Sequence, residues 1–200
     1  MKQFELLAGV RVIDRSVRTA IEACDGVVVV LPAEVLAAAE AATVPDVRVR
    51  GVDAIVAGGA TRAESVRAGL GAVPDSATIV LVHDAARPLA SVQLFQRVIA
   101  AVAGGADAVV PAVAVVDTIR VIGGGVVDRD TLRAVQTPQG FPADVLRRVH
   151  STRPEASDDA GLVEATGGVV TLVEGERLNL KVTDPADMIV AAALLATDPV

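Results

Sequence analysis

The feature that most constrains this chain is a regular alternation of short Val- and Ile-rich runs with longer Ala-rich stretches. The runs have the length of buried strands, and the stretches carry the i, i+3, i+4 apolar spacing of helices. Two parallel strands must be joined by a long crossover connection, which is usually a helix. The alternation therefore predicts an α/β fold with a mostly parallel sheet and helices on both faces. The predicted strands span residues 26–31, 54–59, 77–84, 106–115 and 167–175. The predicted helices span residues 32–42, 61–73, 91–105 and the stretch from about Pro185.

Residues 117–137 break the alternation. Strand-like pieces flank the glycines at 123–125, and this pattern predicts a β-hairpin that projects from the sheet as an arm. Such an arm often makes dimer contacts, and a plain surface hairpin stays open as the alternative. The chain has 200 residues and no low-complexity linker, so we expect a single domain over residues 1–200.

Composition excludes several classes of protein. A net charge of -7 argues against broad binding to nucleic acid or anionic membranes, and aromatic residues amount to three Phe, too few for a base-stacking platform. No apolar run is long enough to span a bilayer, and the start of the chain does not have the pattern of a secretory signal. The single cysteine, Cys24, agrees with a reducing compartment. We therefore expect a cytoplasmic protein.

Polar residues follow two of the predicted strands, where ligands bind in parallel α/β sheets. Gly58 and Gly59 precede Thr61, a candidate N-cap whose helix start would offer free N–H groups to an anion or a base. A strand-to-helix turn that simply needs glycine is the alternative. After the next strand, Asp84 is the candidate Mg²⁺ ligand. Arg87 would either bind a phosphate or pair with Asp84.

Further polar candidates lie in the second half of the chain: Thr118, Arg129, Thr137 and Lys181. They supply two hydroxyl groups and two cations, which suit a phosphorylated substrate. We expect His83 to be a hydrogen-bonded packing residue rather than a base. The chain has no pattern of a covalent nucleophile and no Walker sequence. The sequence therefore predicts phosphoryl or nucleotidyl transfer assisted by Mg²⁺ and fixed cations.

Six motifs, in this order and spacing, carry a resemblance to a known family: GGATRAESV, VLVHDAARP, DTIR, LRAVQTPQGF, SDDAGLVE and VEGERLNLKVTDPADM. They resemble the 2-C-methyl-D-erythritol 4-phosphate cytidylyltransferases of the non-mevalonate isoprenoid pathway, over nearly the whole chain. The resemblance implies transfer of CMP from CTP to a sugar-alcohol phosphate with release of pyrophosphate. It also implies a Rossmann-like sheet of the nucleotide-diphospho-sugar transferase type and a homodimer formed through the β-arm.

The resemblance also implies roles for individual residues. Four would contact the cytidine: Gly58, Gly59, Ala60 and Ser65. Asp84 would serve Mg²⁺, with other divalent cations possible, and Arg87 the substrate side. Five would serve the methylerythritol phosphate: Asp117, Thr118, Arg129, Thr137 and Lys181. Among these, Asp117 would support the loop that carries Thr118, and Arg129 would reach across the dimer from the arm.

The first residues, MKQF, match the end of the family's glycine-rich signature, with Met1 in place of a proline. Lys2 would then stabilise the pentavalent transition state. The family's first strand and its triphosphate-binding loop would precede this point, and their absence predicts a weakened fold and weak activity. A start codon assigned too far downstream would explain the pattern.

Two other functions stay open. A cytidylyltransferase for another polyol phosphate, such as ribitol 5-phosphate, would differ in the alcohol phosphate that supports pyrophosphate release. A non-catalytic dimeric binding module would bind these compounds without turnover.

Overall fold

The computed structural model describes residues 2–40, 49–152 and 158–197. The strands in these ranges are β1 (Leu6–Leu7), β2 (Val10–Arg11), β3 (Val28–Leu31), β4 (Ala54–Ala57), β5 (Ile79–Val82), β6 (Ala108–Ala114), β7 (Ile119–Arg120), β8 (Val126–Val127), β9 (Arg133–Val135), β10 (Gln139–Pro142) and β11 (Val170–Glu174). The five strands predicted from apolar runs are confirmed as β3, β4, β5, β6 and β11.

The helices of the described ranges are α1 (Val12–Ala23), α2 (Ala33–Glu40), α3 (Arg62–Leu70), α4 (Val92–Ala103), α5 (Ala143–Ser151), α6 (Asp159–Ala165) and α7 (Pro185–Thr197). The predicted helices at 61–73, 91–105 and from Pro185 are confirmed as α3, α4 and α7. The prediction at 32–42 matches α2, and residues 41–42 lie outside the described residues. Within the described residues, every helix is too short or too polar to span a bilayer.

The α/β class is confirmed, and the sheet is mixed. Its strand order is β11-β6-β10-β5, with β9 beside one end of β6. β6 and β11 are parallel, whereas β10 runs antiparallel to both of its neighbours, β5 and β6. β10 was not predicted from the sequence, because its residues, QGFP, lack the β-branched run that marks the other strands of the sheet.

Alternating side chains of this sheet pack under helices on opposite faces, as period-2 strand geometry requires. Val80, Val110 and Phe141 belong to a core cluster with residues of α5 and α6. Leu81 and Val109 belong to a second cluster with residues of α4. The sheet therefore has helices on both faces, as predicted.

β3 and β4 form a separate parallel pair, in which Val28 lies opposite Ala54. Within the described part of the chain, β3 pairs only with β4, and β5 pairs only with β10. Residues of both β3 and β5 line a cavity of about 850 Å³, whose lining also includes Arg62 and Asp84. This cavity thus connects two open strand edges with polar groups at the ends of the strands.

The predicted hairpin is confirmed. β7 and β8 pair antiparallel, with Ile119 opposite Val127, and Gly123 in the turn has a φ of +74°. This conformation favours glycine because it has no Cβ. Ile122 at the turn is fully exposed, and Val121 and Val126 are also exposed. The arm therefore presents apolar side chains on its surface, which is typical of an interaction site.

Candidate active site

The glycine loop, residues 58–61 between β4 and α3, forms one wall of a cavity of about 580 Å³. The four residues predicted to contact cytidine, Gly58, Gly59, Ala60 and Ser65, all line this cavity. The end of β3 and the start of α2 form the rest of its lining. Ser65 also lines the larger cavity that reaches Asp84, so the two cavities adjoin.

A capping box closes the start of α3. Thr61 Oγ1 accepts a hydrogen bond from the Glu64 amide at 3.2 Å, and the Glu64 carboxylate accepts from the Ala60 amide at 2.7 Å and the Thr61 amide at 3.1 Å. The expectation that this helix start offers free N–H groups is therefore wrong for Ala60 and Thr61. The T-x-x-E spacing is the sequence signal for this box. A carboxylate at this point disfavours an anion, so the loop suits a neutral base better than a phosphate.

The two glycines of the loop are required by close packing. A Cβ at Gly58 would lie 2.7 Å from Ser65 Oγ, and a Cβ at Gly59 would lie 2.2 Å from Glu64 Cβ. The Gly59 amide donates to Ser65 Oγ at 3.2 Å. The alternative that this turn simply needs glycine is thus sufficient to explain both residues. Their packing still brings Ser65 to the cavity wall.

Two cations converge on the carboxylate of Asp84, which follows β5. Lys181 Nζ lies 2.9 Å from Asp84 Oδ2, and Arg87 Nε lies 3.7 Å from the same oxygen. Burial alone would raise the pKa of Asp84, but the hydrogen bond and charge of Lys181 and the charge of Arg87 outweigh it and hold the pKa below its ordinary value. Asp84 is therefore ionised at neutral pH.

Thr137 lies directly against this cluster. Its hydroxyl accepts a hydrogen bond from the Asp84 amide at 3.0 Å and lies 3.1 Å from His83 Nδ1. Burial lowers the pKa of His83 to about 4, and its ring packs against Phe95 with 5.0 Å between centroids. His83 is thus neutral and packed at physiological pH, in agreement with the role that the sequence predicted.

The three predicted residues of the arm lie apart from this cluster. Asp117, Thr118 and Arg129 are exposed, and Arg129 Nη1 donates to the Val116 carbonyl at 2.6 Å. No hydrogen bond or ion pair of the described residues links these three to Asp84, Arg87, Thr137 or Lys181. Within the described residues, hydrogen bonds and ion pairs therefore join only part of the predicted substrate set.

Lys2 lies in a 3-10 turn over Lys2–Phe4. The position of its side chain is outside the described part of the structure. Phe4, two residues on, packs against a core cluster that includes Ile13 of α1. This contact anchors the backbone beside Lys2 to α1.

No sequence pattern predicted the ionic cluster behind the glycine loop, in which Asp159 and His150 are buried. Asp159 Oδ2 lies 2.7 Å from Arg62 Nη2, and its Oδ1 lies 2.8 Å from Nε2 of buried His150. Burial would raise the pKa of Asp159, but hydrogen bonds from His150 and Arg62 lower it. Arg62 is the first residue of α3, so these contacts tie the glycine loop to α5 and α6. SDDAG contributed only to the family resemblance.

The mixed α/β fold, the glycine loop and the cations around Asp84 define a nucleotidyltransferase with a Rossmann-like fold. The family model for 2-C-methyl-D-erythritol 4-phosphate cytidylyltransferase matches residues 1–197. The chain therefore belongs to the 2-C-methyl-D-erythritol 4-phosphate cytidylyltransferase family, as the resemblance implied.

Individual relatives agree with this assignment. The enzyme of that name from Nocardia farcinica is 48% identical over 176 residues, covering 86% of this chain and 74% of the relative. The one from Rhodococcus jostii is 43% identical, covering 97% of this chain and 86% of the relative. The crystal structure of the Thermus thermophilus enzyme has a TM-score of 0.83 and 38% identity, and the match covers 98% of this chain and 93% of that one.

Proposed function

We propose that this chain transfers CMP from CTP to 2-C-methyl-D-erythritol 4-phosphate in the synthesis of isoprenoid precursors. The products would be 4-diphosphocytidyl-2-C-methyl-D-erythritol and pyrophosphate. The observation that carries the proposal is the convergence of Lys181 and Arg87 on Asp84, next to the Thr137 hydroxyl. These residues supply fixed charge and a hydroxyl next to a cavity that adjoins the cavity of the glycine loop.

The glycine loop would bind the cytosine end of CTP. Its wall combines backbone groups of Gly58 and Gly59 with the Ser65 hydroxyl, which suit a neutral, hydrogen-bonding base. The carboxylate of Glu64 already accepts from the Ala60 and Thr61 amides. The triphosphate would therefore extend away from this helix start, toward the cations at Asp84.

Asp84 would bind Mg²⁺ together with the phosphates of CTP. The closest approach of both cations is to its Oδ2. No cluster of three or more acidic, His or Cys side chains within the described ranges could hold a metal ion. A single carboxylate nevertheless fits Mg²⁺, which commonly binds one or two carboxylates with substrate phosphates. When bound, Mg²⁺ would neutralise phosphate charge.

The remaining residues would orient the attacking alcohol phosphate. A phosphate oxygen of methylerythritol phosphate forms a bond to the α-phosphorus of CTP. The bond from that phosphorus to the oxygen that bridges the α- and β-phosphates breaks, and pyrophosphate leaves. Any proton on the attacking oxygen is released. Lys181 and Arg87 would hold phosphate charge in a fixed position, and Lys2 would add a cation at the transition state. Such fixed charges act mainly through positioning and electrostatic stabilisation.

We propose that the arm completes this site in a homodimer. Thr118 and Arg129 are exposed on the arm and make no described contact with Asp84, while apolar residues such as Ile122 are exposed beside them. Burial of these apolar side chains against a second copy would carry Arg129 and Thr118 to the partner's substrate phosphate. Asp117 would hold the backbone next to Thr118.

A turnover assay tests the proposal. Pyrophosphate release is measured with Mg²⁺ and methylerythritol phosphate, with CTP, UTP or ATP as the nucleotide. The proposal predicts release that depends on both substrates and is fastest with CTP. Release at equal rates from all three nucleotides would contradict the role given to the glycine loop. Binding of CTP without any turnover by a folded protein would instead favour a non-catalytic binding module.

A further inference from the structure

Asn179 is a fully buried polar residue in the loop between β11 and α7. Its side-chain Nδ2 donates to the Thr137 carbonyl at 2.9 Å and to Gln136 Oε1 at 3.3 Å. Buried amide groups are retained where their hydrogen bonds hold neighbouring segments in a defined arrangement. The Asn179 side chain therefore joins its own loop to the segment that leads from β9 to β10.

The backbone of Asn179 makes a second set of contacts. Its carbonyl accepts a hydrogen bond from Arg87 Nη1 at 2.8 Å, and its amide donates to the Glu176 carbonyl at 3.0 Å. Lys181 follows two residues later and reaches Asp84. One residue thus contacts Thr137 and Arg87 directly and fixes the backbone from which Lys181 extends.

Gln136 and Glu176 support this junction. Gln136 Oε1 accepts from the Glu176 amide at 3.1 Å, and Gln136 Nε2 donates to the Glu176 carbonyl at 2.8 Å. The Glu176 carboxylate accepts from the Ser91 amide at the start of α4 at 3.2 Å. The loop is therefore hydrogen-bonded to both the Gln136–Thr137 segment and the start of α4. Because the loop is held at these points, we expect a change at Asn179 to shift the residues of the site.

We infer that Asn179 is a positioning residue, which sets the relative placement of Thr137, Arg87 and Lys181 on the alcohol-phosphate side of the site. The assignment of that side rests on the proposed function. The Asn179 side chain is fully buried, so it would act through the three residues that it holds. Misplacement of such groups by about 1 Å lowers catalysis by about a hundredfold in well-studied enzymes.

The chemistry of the junction requires a donor at this position. The substitution Asn179→Asp would keep the shape of the side chain but would set carboxylate oxygens against two acceptors, the Thr137 carbonyl and Gln136 Oε1. Alanine would leave the buried Thr137 carbonyl without this hydrogen bond. Both substitutions remove the donor, and only alanine also removes volume.

The test compares Asn179→Ala and Asn179→Asp with Val145→Ala. Val145 is a buried apolar residue of α5 outside this polar junction, so its truncation controls for general destabilisation. We expect both Asn179 variants to raise KM for methylerythritol phosphate about tenfold and lower kcat about tenfold, with KM for CTP changed less than about threefold. Val145→Ala should leave the ratio of the two KM values unchanged. Equal changes in both KM values, or wild-type kinetics for Asn179→Asp, would overturn the inference.

Hydrogen exchange of the free protein separates this inference from the proposed function. In both Asn179 variants, peptides covering residues 133–138 and 176–183 should lose protection together, while a peptide from α5 should not. This readout does not require turnover. If the wild-type protein fails to use methylerythritol phosphate but the two segments still lose protection together, the proposed function fails and the junction stands. Unchanged protection in both segments would overturn the junction itself.

Discussion

Lys181 Nζ lies 2.9 Å from Asp84 Oδ2, although Lys181 follows β11 and Asp84 follows β5, strands at opposite ends of the sheet order β11-β6-β10-β5. The loop after β11 must therefore cross toward β5, and the junction at Asn179 holds it there. In the proposed reaction, substrate phosphates compete with Asp84 for the Lys181 cation. The ion pair keeps that cation in place before substrate binds.

Removal of the Lys181 charge should disable catalysis without unfolding the protein. We expect Lys181→Ala to lower kcat/KM by about 10² to 10³, which is typical for the loss of one fixed group that stabilises transition-state charge. Steady-state pyrophosphate release measures this loss. Arg148→Ala serves as the charge-matched control, because Arg148 is exposed and its ion pair is with exposed Asp144 at 3.8 Å. An equal loss in both variants would point to a nonspecific effect of charge.

The arm should act across a dimer. Arg129→Ala and Lys181→Ala are each expected to be nearly inactive, but mixed dimers would contain one intact site. Random exchange of equal amounts would then restore about a quarter of the wild-type rate, because half of the dimers are mixed and each has one working site. A mixture of Asp84→Ala with Lys181→Ala is the control and should stay inactive, since both residues belong to the same site. No recovery in the first mixture would place Arg129 in its own subunit's site or outside catalysis.

Asp159 should stabilise the fold in a pH-dependent way. Its pKa is lowered in the folded state, so its contribution is fully present above the unfolded pKa, near 4, and is lost as pH falls through the lower folded value. We expect Asp159→Asn to reduce the free energy of unfolding by about 2 kcal/mol at pH 7, the scale of a lost charged hydrogen bond. Urea unfolding at pH 7 and at pH 3 measures the difference. A gap between wild type and variant that widens at pH 3 would contradict this account.

His83 should titrate near pH 4. Between pH 6.5 and about 4, His83 is protonated in the unfolded chain but neutral in the folded chain. The free energy of unfolding should therefore decrease as the pH is lowered through this window. The chain has two histidines, so NMR of the ring protons, with His83→Gln for assignment, resolves the midpoint. A midpoint near 6.5 would mean that His83 is exposed and available as a base.

The Glu64 carboxylate should stabilise the glycine loop. Glu64→Ala removes the acceptor for the Ala60 and Thr61 amides and should reduce the free energy of unfolding by about 1 kcal/mol, with a higher KM for CTP. Glu64→Gln keeps an oxygen that can complete the capping box and should lie close to wild type. Thermal unfolding and CTP titration measure the two effects. Equal losses of stability in Glu64→Ala and Glu64→Gln would mean that the carboxylate charge, and not the capping box, stabilises the loop.

The strands and helices that carry a regular apolar spacing in the sequence could be predicted from the sequence alone. Strands such as β3 and β6 are visible as Val-rich runs because side chains on both of their faces are buried or partly buried. β10 was missed because Gly140 is dictated by its neighbours: a Cβ there would lie 2.5 Å from Val98 Cγ1 of α4. No pattern within QGFP carries that information.

In the candidate site, contacts between residues close in sequence could be predicted, whereas contacts between distant residues could not. The Asp84–Arg87 pair, at i and i+3, was foreseen as an alternative, and the capping box at Thr61 could have been read from its spacing. The links of Arg62 to Asp159 and of Asn179 to Thr137 join residues far apart in the chain. Such links depend on how loops meet in space, and residue type alone does not indicate the partner.

Product identity in a competition assay tests the central claim most directly. The protein is incubated with CTP, Mg²⁺ and equal concentrations of methylerythritol phosphate and ribitol 5-phosphate, and the cytidylylated products are separated by mass. The account predicts that 4-diphosphocytidyl-2-C-methyl-D-erythritol forms in at least tenfold excess, the ratio that about 1.4 kcal/mol of discrimination provides. Formation of the ribitol product in equal or greater amount would contradict it.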